Sequence, residues 1–345
     1  MTDSRPLNLG VDGPFRLVQP ESGESVHSYM HRLAEAYGVI CVQTIMKEVS
    51  VGGPRPFSAA CMPRLAKLGG VSTDAIATLC AFDPVYAAGS NVWNFGLEDT
   101  SHFAGVNCRI LPFCPACLQE RGVVPAFVHL AAVCVCPLHR CRIVATCPKC
   151  HALLRAQRPR LSLCRCRFPL DSVDPIQASS AEQNLACSIY SRIVGSMTSD
   201  TVVTSAVGQV NLAALCLDDL VYLHWALGHV LPYPRPSCLG SRRHLSQREG
   251  IEAAASCLDV VERPDKVVAY LRAWFQLLSE QRCGEVSLPF GLFRSVLKRL
   301  VRMPGIPVIS QLISAELHTL SRQHPFRPTI GPKPSAQMNL FEEPQ

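Results

Sequence analysis

No stretch of this 345-residue chain is apolar for the roughly 20 residues that a membrane span requires. The longest nearly apolar run, VVPAFVHLAAVCVCPL, holds two prolines and a histidine, so no membrane span is expected. The opening MTDSRPLNLG lacks the apolar segment of a secretory signal. Eighteen cysteines are therefore read as thiols of a reducing cytoplasm and not as a disulfide framework.

Catalytic signatures are missing as well. There is no Walker glycine loop, no GxSxG elbow and no GxGxxG. The FCPAC stretch matches half of the zinc-deaminase signature, but His102 is followed by Phe and Ala where the proton-shuttling glutamate should stand. His27 and His31 have the spacing of a zincin helix without its glutamate base, and read as a pair on a helix surface. Asp218, Asp219 and His224 in LDDLVYLHW read as a helix-start feature. A protein without enzymatic activity is expected.

Acidic residues disappear between Glu120 and Asp171, where nine Lys and Arg residues stand. Of these, Arg155, Arg158 and Arg160 in LLRAQRPRL lie away from any metal-ligand candidate and are candidates for contact with phosphate or an acidic partner. A second basic stripe, Arg294, Lys298 and Arg302, recurs every four residues on FGLFRSVLKRLVRM, with Arg299 nearby.

With 48% hydrophobic and 17% charged residues, the chain has material for two or three folded domains. Val26, Tyr29, Met30, Leu33, Ala34 and Tyr37 recur at helical spacing, Gly38 ends that helix, and a second is expected from about Val42 to Val49. This is the pattern of a helix-turn-helix unit over about 25–49, with Gln43, Thr44 and Lys47 as candidate contacts on the second helix. MPRLAKLGGVSTDAIATLC is a weaker echo, with glycines closing one helix and Ser72 or Thr73 capping the next.

The expected fold is mainly α with a small-β zinc-ribbon module. A helical N-terminal domain spans 1–110, tandem zinc ribbons 111–170, a helical C-terminal domain 171–323 and a disordered tail 324–345, with 171–182 as a linker.

Three pairs share a two-residue spacer with proline after the first ligand: Cys114 and Cys117, Cys136 and His139, Cys147 and Cys150. A fourth, Cys164 and Cys166, has a one-residue spacer. Taken in order they make two tetrahedral zinc sites, each filled by four protein ligands and therefore structural. Cys134 and Cys141 compete with Cys136, and His151 could replace Cys150; the proline-bearing pairs are preferred. Cys187, Cys216 and Cys257 read as buried apolar residues. Two loaded zinc sites lower the formal charge of +6 to about +3, since one site carries −1 and the other −2.

The chain resembles the TniQ family, which includes TnsD-type target selectors of bacterial transposons. The resemblance rests on Glu24-Ser25 before SYMHRLAEAYGV, then CPACLQE, CVCPLH, CPKC and CRC in order and spacing over most of 15–170. The C-terminal helices fit it loosely, and Phe127 stands near where the family's tryptophan would precede the second knuckle. The resemblance implies a non-catalytic adapter for DNA transposition that marks a target and recruits an AAA+ ATPase, which engages the transposase. Some members are dimers that bind a CRISPR effector, and others read DNA directly. A freestanding zinc-dependent transcription regulator is the alternative. In the tail, Gln337, Leu340 and Phe341 of QMNLF resemble a sliding-clamp docking peptide.

Overall fold

The computed structural model describes residues 17–49, 61–79, 93–94, 99–100, 106, 110–194, 202–205, 208–239, 245, 247–280 and 288–323. Gln337, Leu340 and Phe341 lie outside them. The protein is mainly helical, with little strand.

Two of the N-terminal helices begin at capping serines. Ser25 precedes α1 (Val26–Ala36) and its hydroxyl accepts the Ser28 amide at 3.1 Å. Gly38, at φ 65°, turns the chain toward α2 (Val42–Val49). After α3 (Met62–Gly69), Gly70 takes the left-handed conformation and Ser72 caps α4 (Thr73–Ala77), accepting the Ala75 amide at 3.1 Å. These four helices bury a cluster that includes Tyr29, Leu33, Ile45, Leu65 and Ile76. The Tyr29 hydroxyl donates to the Val18 carbonyl at 2.8 Å and so ties the lead segment to this cluster.

The start of α1 is also the dock to the next region. Ser25 donates its amide to Val124 O at 2.9 Å, and the Ser28 hydroxyl accepts the Val124 amide at 2.9 Å while donating to buried Glu24 at 2.7 Å. His27 and His31, read as a surface pair, are instead buried, at 2% and 1% exposure. The reason is that α1 has two covered faces: His27 lies against the His129 ring, centroids 5.0 Å apart, and His31 Nε2 donates to Ala156 O at 2.8 Å.

Beyond a two-residue pair, β1 (Trp93–Asn94) with β2 (Asp99–Thr100), the stretch 110–178 is held by isolated bridges around α5 (Pro115–Arg121). The C-terminal region contains α6 (Ser180–Val194), the hairpin β3 (Val202–Ser205) and β4 (Gly208–Asn211), α7 (Leu217–Trp225), α8 (Pro236–Leu239), α9 (Gln247–Glu262), α10 (Lys266–Glu280), α11 (Leu288–Arg302) and α12 (Pro307–Gln323). Helix α7 runs on through one π-helical turn at Ala226–Val230. There Gly228 meets α9 so closely that a Cβ would lie 2.0 Å from Ala253 O. Trp274 stacks on Phe293 at 4.7 Å and donates its indole N–H to Val230 O at 3.1 Å.

One apolar cluster runs from Val106 to Leu320 and joins the cysteine-rich stretch to the C-terminal helices. The expected linker is accordingly not a free spacer. Leu170 is buried, Gln119 donates to Asp171 O and Val173 O, Arg142 donates its amide to Ile176 O at 2.7 Å, and Ala178 donates to Arg140 O at 3.1 Å. Residues 171–178 form a strap across the module. Cys257 is buried as expected, but Cys187 is half-buried and Cys216, preceding α7, is exposed.

Candidate metal centres

The first cluster is assembled by a helix start and a tight hairpin. Cys114 is the N-cap of α5, Pro115 fixes the first helical φ, and the Cys117 amide donates to Cys114 Sγ at 3.4 Å. Opposite them, Cys136 donates its amide to Cys141 O at 2.8 Å and accepts the Arg140 amide on its carbonyl at 2.7 Å, closing a hairpin whose tip carries His139. His139 Nδ1 lies 3.5 Å from Cys114 Sγ, 3.2 Å from Cys117 Sγ and 3.5 Å from Cys136 Sγ, with Cys117 and Cys136 sulfurs 3.8 Å apart.

The second cluster pairs Cys147 with Cys166 at 3.6 Å and Cys150 with Cys164 at 3.7 Å. In each cluster all four donor atoms lie within 4.8 Å of one another. A tetrahedral ion with metal–sulfur bonds of about 2.3 Å has sulfur–sulfur edges of about 3.8 Å, so both sets have the size such an ion needs.

A feature absent from the motif reading recurs after the ligand pairs. The non-glycine residues with positive φ among those described are Arg140 (55°), His151 (56°) and Arg167 (64°). Each donates its amide back to the carbonyl of the first ligand of its pair: Cys136, Cys147 and Cys164. The left-handed residue reverses the chain under the ligands, and that is the place of His151, which is exposed and lies outside both four-donor sets.

The electrostatics favour thiolates at selected positions. Hydrogen bonds from the Cys114 and Cys117 thiols, helped by the amides of His139 and Leu138, hold the Cys136 thiol down to about 4. Burial works against Cys147, yet the amides of Cys150 and Lys149 bring its thiol to about 7. Glu120 was not singled out from the sequence. Its carboxylate accepts from His139 Nε2 at 3.0 Å, which leaves Nδ1 as the nitrogen facing the sulfurs. Its place in the turn after Cys117 on α5 was the available signal.

Cys134 stands apart, buried with its thiol toward Ala131 O at 3.5 Å and outside the four-donor sets. Cys141 does not stand apart: its sulfur lies 3.4 Å from Cys114 Sγ.

The candidate contact residues divide. Gln43 and Lys47 on α2 are exposed and Thr44 is half-buried. The Gln43 amide donates to Gln157 Oε1 at 3.1 Å, so α2 sits beside the loop that carries exposed Arg155 and Arg160. Arg158 is a correction: it is 1% exposed and is not a surface contact. Its Nε donates to Leu161 O at 2.9 Å and one terminal nitrogen to Leu111 O at 2.7 Å, with the guanidinium 6.0 Å over the Phe113 ring. Burial lowers its pKa to about 10. On α11, Lys298 and Arg302 are exposed and Arg294 half-buried. Arg299 is committed to the core side, bonding Asp218 at 2.7 Å and Asp219 at 3.0 Å above the Tyr222 ring at 4.0 Å. Phe127, at the expected tryptophan neighbourhood, is buried edge-on against Tyr190 at 5.6 Å.

A helical protein with two clusters of four Cys or His donors, whose first helix is capped by Ser25 and docked on Val124, is the class these features define. Residues 15–143 match the TniQ family, so the chain carries a TniQ domain. That match includes α1, α2 and the whole first cluster, and stops short of the second. No curated protein matches the chain. Among the described residues, no helix is long and apolar enough to cross a membrane.

Proposed function

We propose that the protein is a zinc-stabilised, non-catalytic adapter for DNA transposition. It links a target-marking element, a DNA site or a CRISPR-type effector, to an AAA+ ATPase regulator and through it to the transposase. The TniQ match carries this reading, because the domain implies a transposition-associated role in target selection. Family members are adapters without catalysis of their own.

The two clusters fit zinc by donor chemistry: thiolates with one imidazole suit a borderline-soft ion, and four protein donors leave no open position for a substrate. Zinc would be held by Cys114, Cys117, Cys136 and His139, and by Cys147, Cys150, Cys164 and Cys166, supplying cross-links to a stretch poor in regular structure. We assign a helical unit to 1–110, the metal module to 111–170 with its strap following, and the helical remainder to 171–323. Gln43, Lys47, Arg155 and Arg160 are the surface we assign to DNA or partner contact, with Lys298 and Arg302 as a second patch. Gln337, Leu340 and Phe341 remain the assignment for a sliding clamp, and self-association as a homodimer belongs to the same reading.

The test is co-purification of the tagged chain with any AAA+ ATPase encoded beside it, followed by a transposition assay in cells. Capture of the ATPase and loss of targeted insertion without this chain are expected. Absence of any neighbouring ATPase or transposase gene, with unchanged insertion, would overturn the reading in favour of a freestanding regulator.

A further inference from the structure

We infer that the first metal centre has five donors for four positions, with Cys141 and His139 exchanging as the fourth ligand according to the softness of the ion. This rests on the first cluster holding a metal. Zinc takes Cys114, Cys117, Cys136 and the imidazole; a more thiophilic ion such as cadmium takes the four sulfurs.

Two observations carry it. The Cys141 sulfur is fully buried and 3.4 Å from Cys114 Sγ, as near to that sulfur as His139 Nδ1 at 3.5 Å. Second, Cys136 donates its amide to Cys141 O at 2.8 Å beside the Val135–Arg142 bridge, so the two cysteines face each other across the base of the hairpin. Residues opposed across an antiparallel pair project from the same side.

His139 occupies the opposite situation. It rides on the hairpin tip with its side chain 19% exposed and its outer nitrogen on exposed Glu120. Swinging the imidazole out surrenders one surface hydrogen bond and leaves the hairpin backbone in place. Cys141 lies outside the four donors that are mutually within 4.8 Å, so exchange requires its sulfur to turn from Cys114 toward the ion. A soft ion favours that turn, because a fourth thiolate replaces a harder nitrogen.

The experiment is cadmium NMR of the full-length protein beside its zinc content. Wild type should retain two ions per chain and give two cadmium resonances, both in the four-thiolate region. Cys141→Ser should still hold two zinc ions but move one cadmium resonance to the three-thiolate, one-nitrogen region. His139→Ala should keep two cadmium ions, and His139→Ala with Cys141→Ser only one. Should the His139 variants not fold, the comparison of wild type with Cys141→Ser decides alone. Identical cadmium spectra for those two proteins, with one three-thiolate resonance in each, would overturn the exchange while leaving the metal centre standing. A wild-type chain that binds no ion at the first cluster would overturn both.

Discussion

Arg158 shows how a charged side chain reads differently from its neighbours once its nitrogens are accounted for. RAQRPR places three arginines at similar spacing, and nothing local separates them. The acceptors that bury the middle one are Leu161 O and, 47 residues away, Leu111 O. Arg158→Ala would strip both carbonyls of a donor and open a void beside Phe113, so a loss of about 2–4 kcal/mol is expected in urea unfolding. Arg155→Ala and Arg160→Ala should change the same measurement by no more than about 0.5 kcal/mol. The left-handed residues are hidden for a similar reason, since Arg, His and Arg give no sign of the positive φ that a glycine would announce. His151→Gly should cost nothing, or stabilise by up to about 1 kcal/mol, by removing that strain.

At the scale of elements, α1 to α4 are legible because their signals are local: Ser25 and Ser72 cap, Gly38 and Gly70 turn. The second covered face of α1 is not, because it is made by His129 and Ala156 from a distant part of the chain. That junction makes stability depend on pH. Burial, with smaller contributions from His129, His31 and Arg158, holds His27 well below the ordinary histidine value, and burial brings His31 to about 4. The unfolded chain therefore takes up protons first as pH falls from about 6.5. Stability fully present above that value is lost progressively toward pH 4, at up to about 1.4 kcal/mol per pH unit per histidine. Urea midpoints at pH 7 and pH 5 measure it, and His27→Phe should show a smaller fall than wild type. Helix contact imposes a second limit: Gly228→Ala drives a Cβ into Ala253 O and should cost about 1–3 kcal/mol, read as a lower melting temperature.

For the whole molecule, the ligand pairs were visible in the sequence because proline and spacing mark them; the shared core was not. The cluster from Val106 to Leu320 makes the metal module a floor for the C-terminal helices. Cys150→Ser should reduce the metal content from two ions to one per chain by elemental analysis, the first cluster keeping its own. Because each structural site contributes on the order of 10 kcal/mol of binding free energy, chelation of both should loosen the C-terminal helices as well, seen as faster amide exchange in α6.

The strap at 171–178 has a consequence for the order in which the protein is made. The hairpin around the first cluster is edged by Ile176, Gln177 and Ala178, which leave the ribosome after both pairs of the second cluster. During synthesis the later ribbon has all its ligands in hand while the earlier one still lacks its outer edge. The ribbon that comes first in the chain is thus the last to be finished.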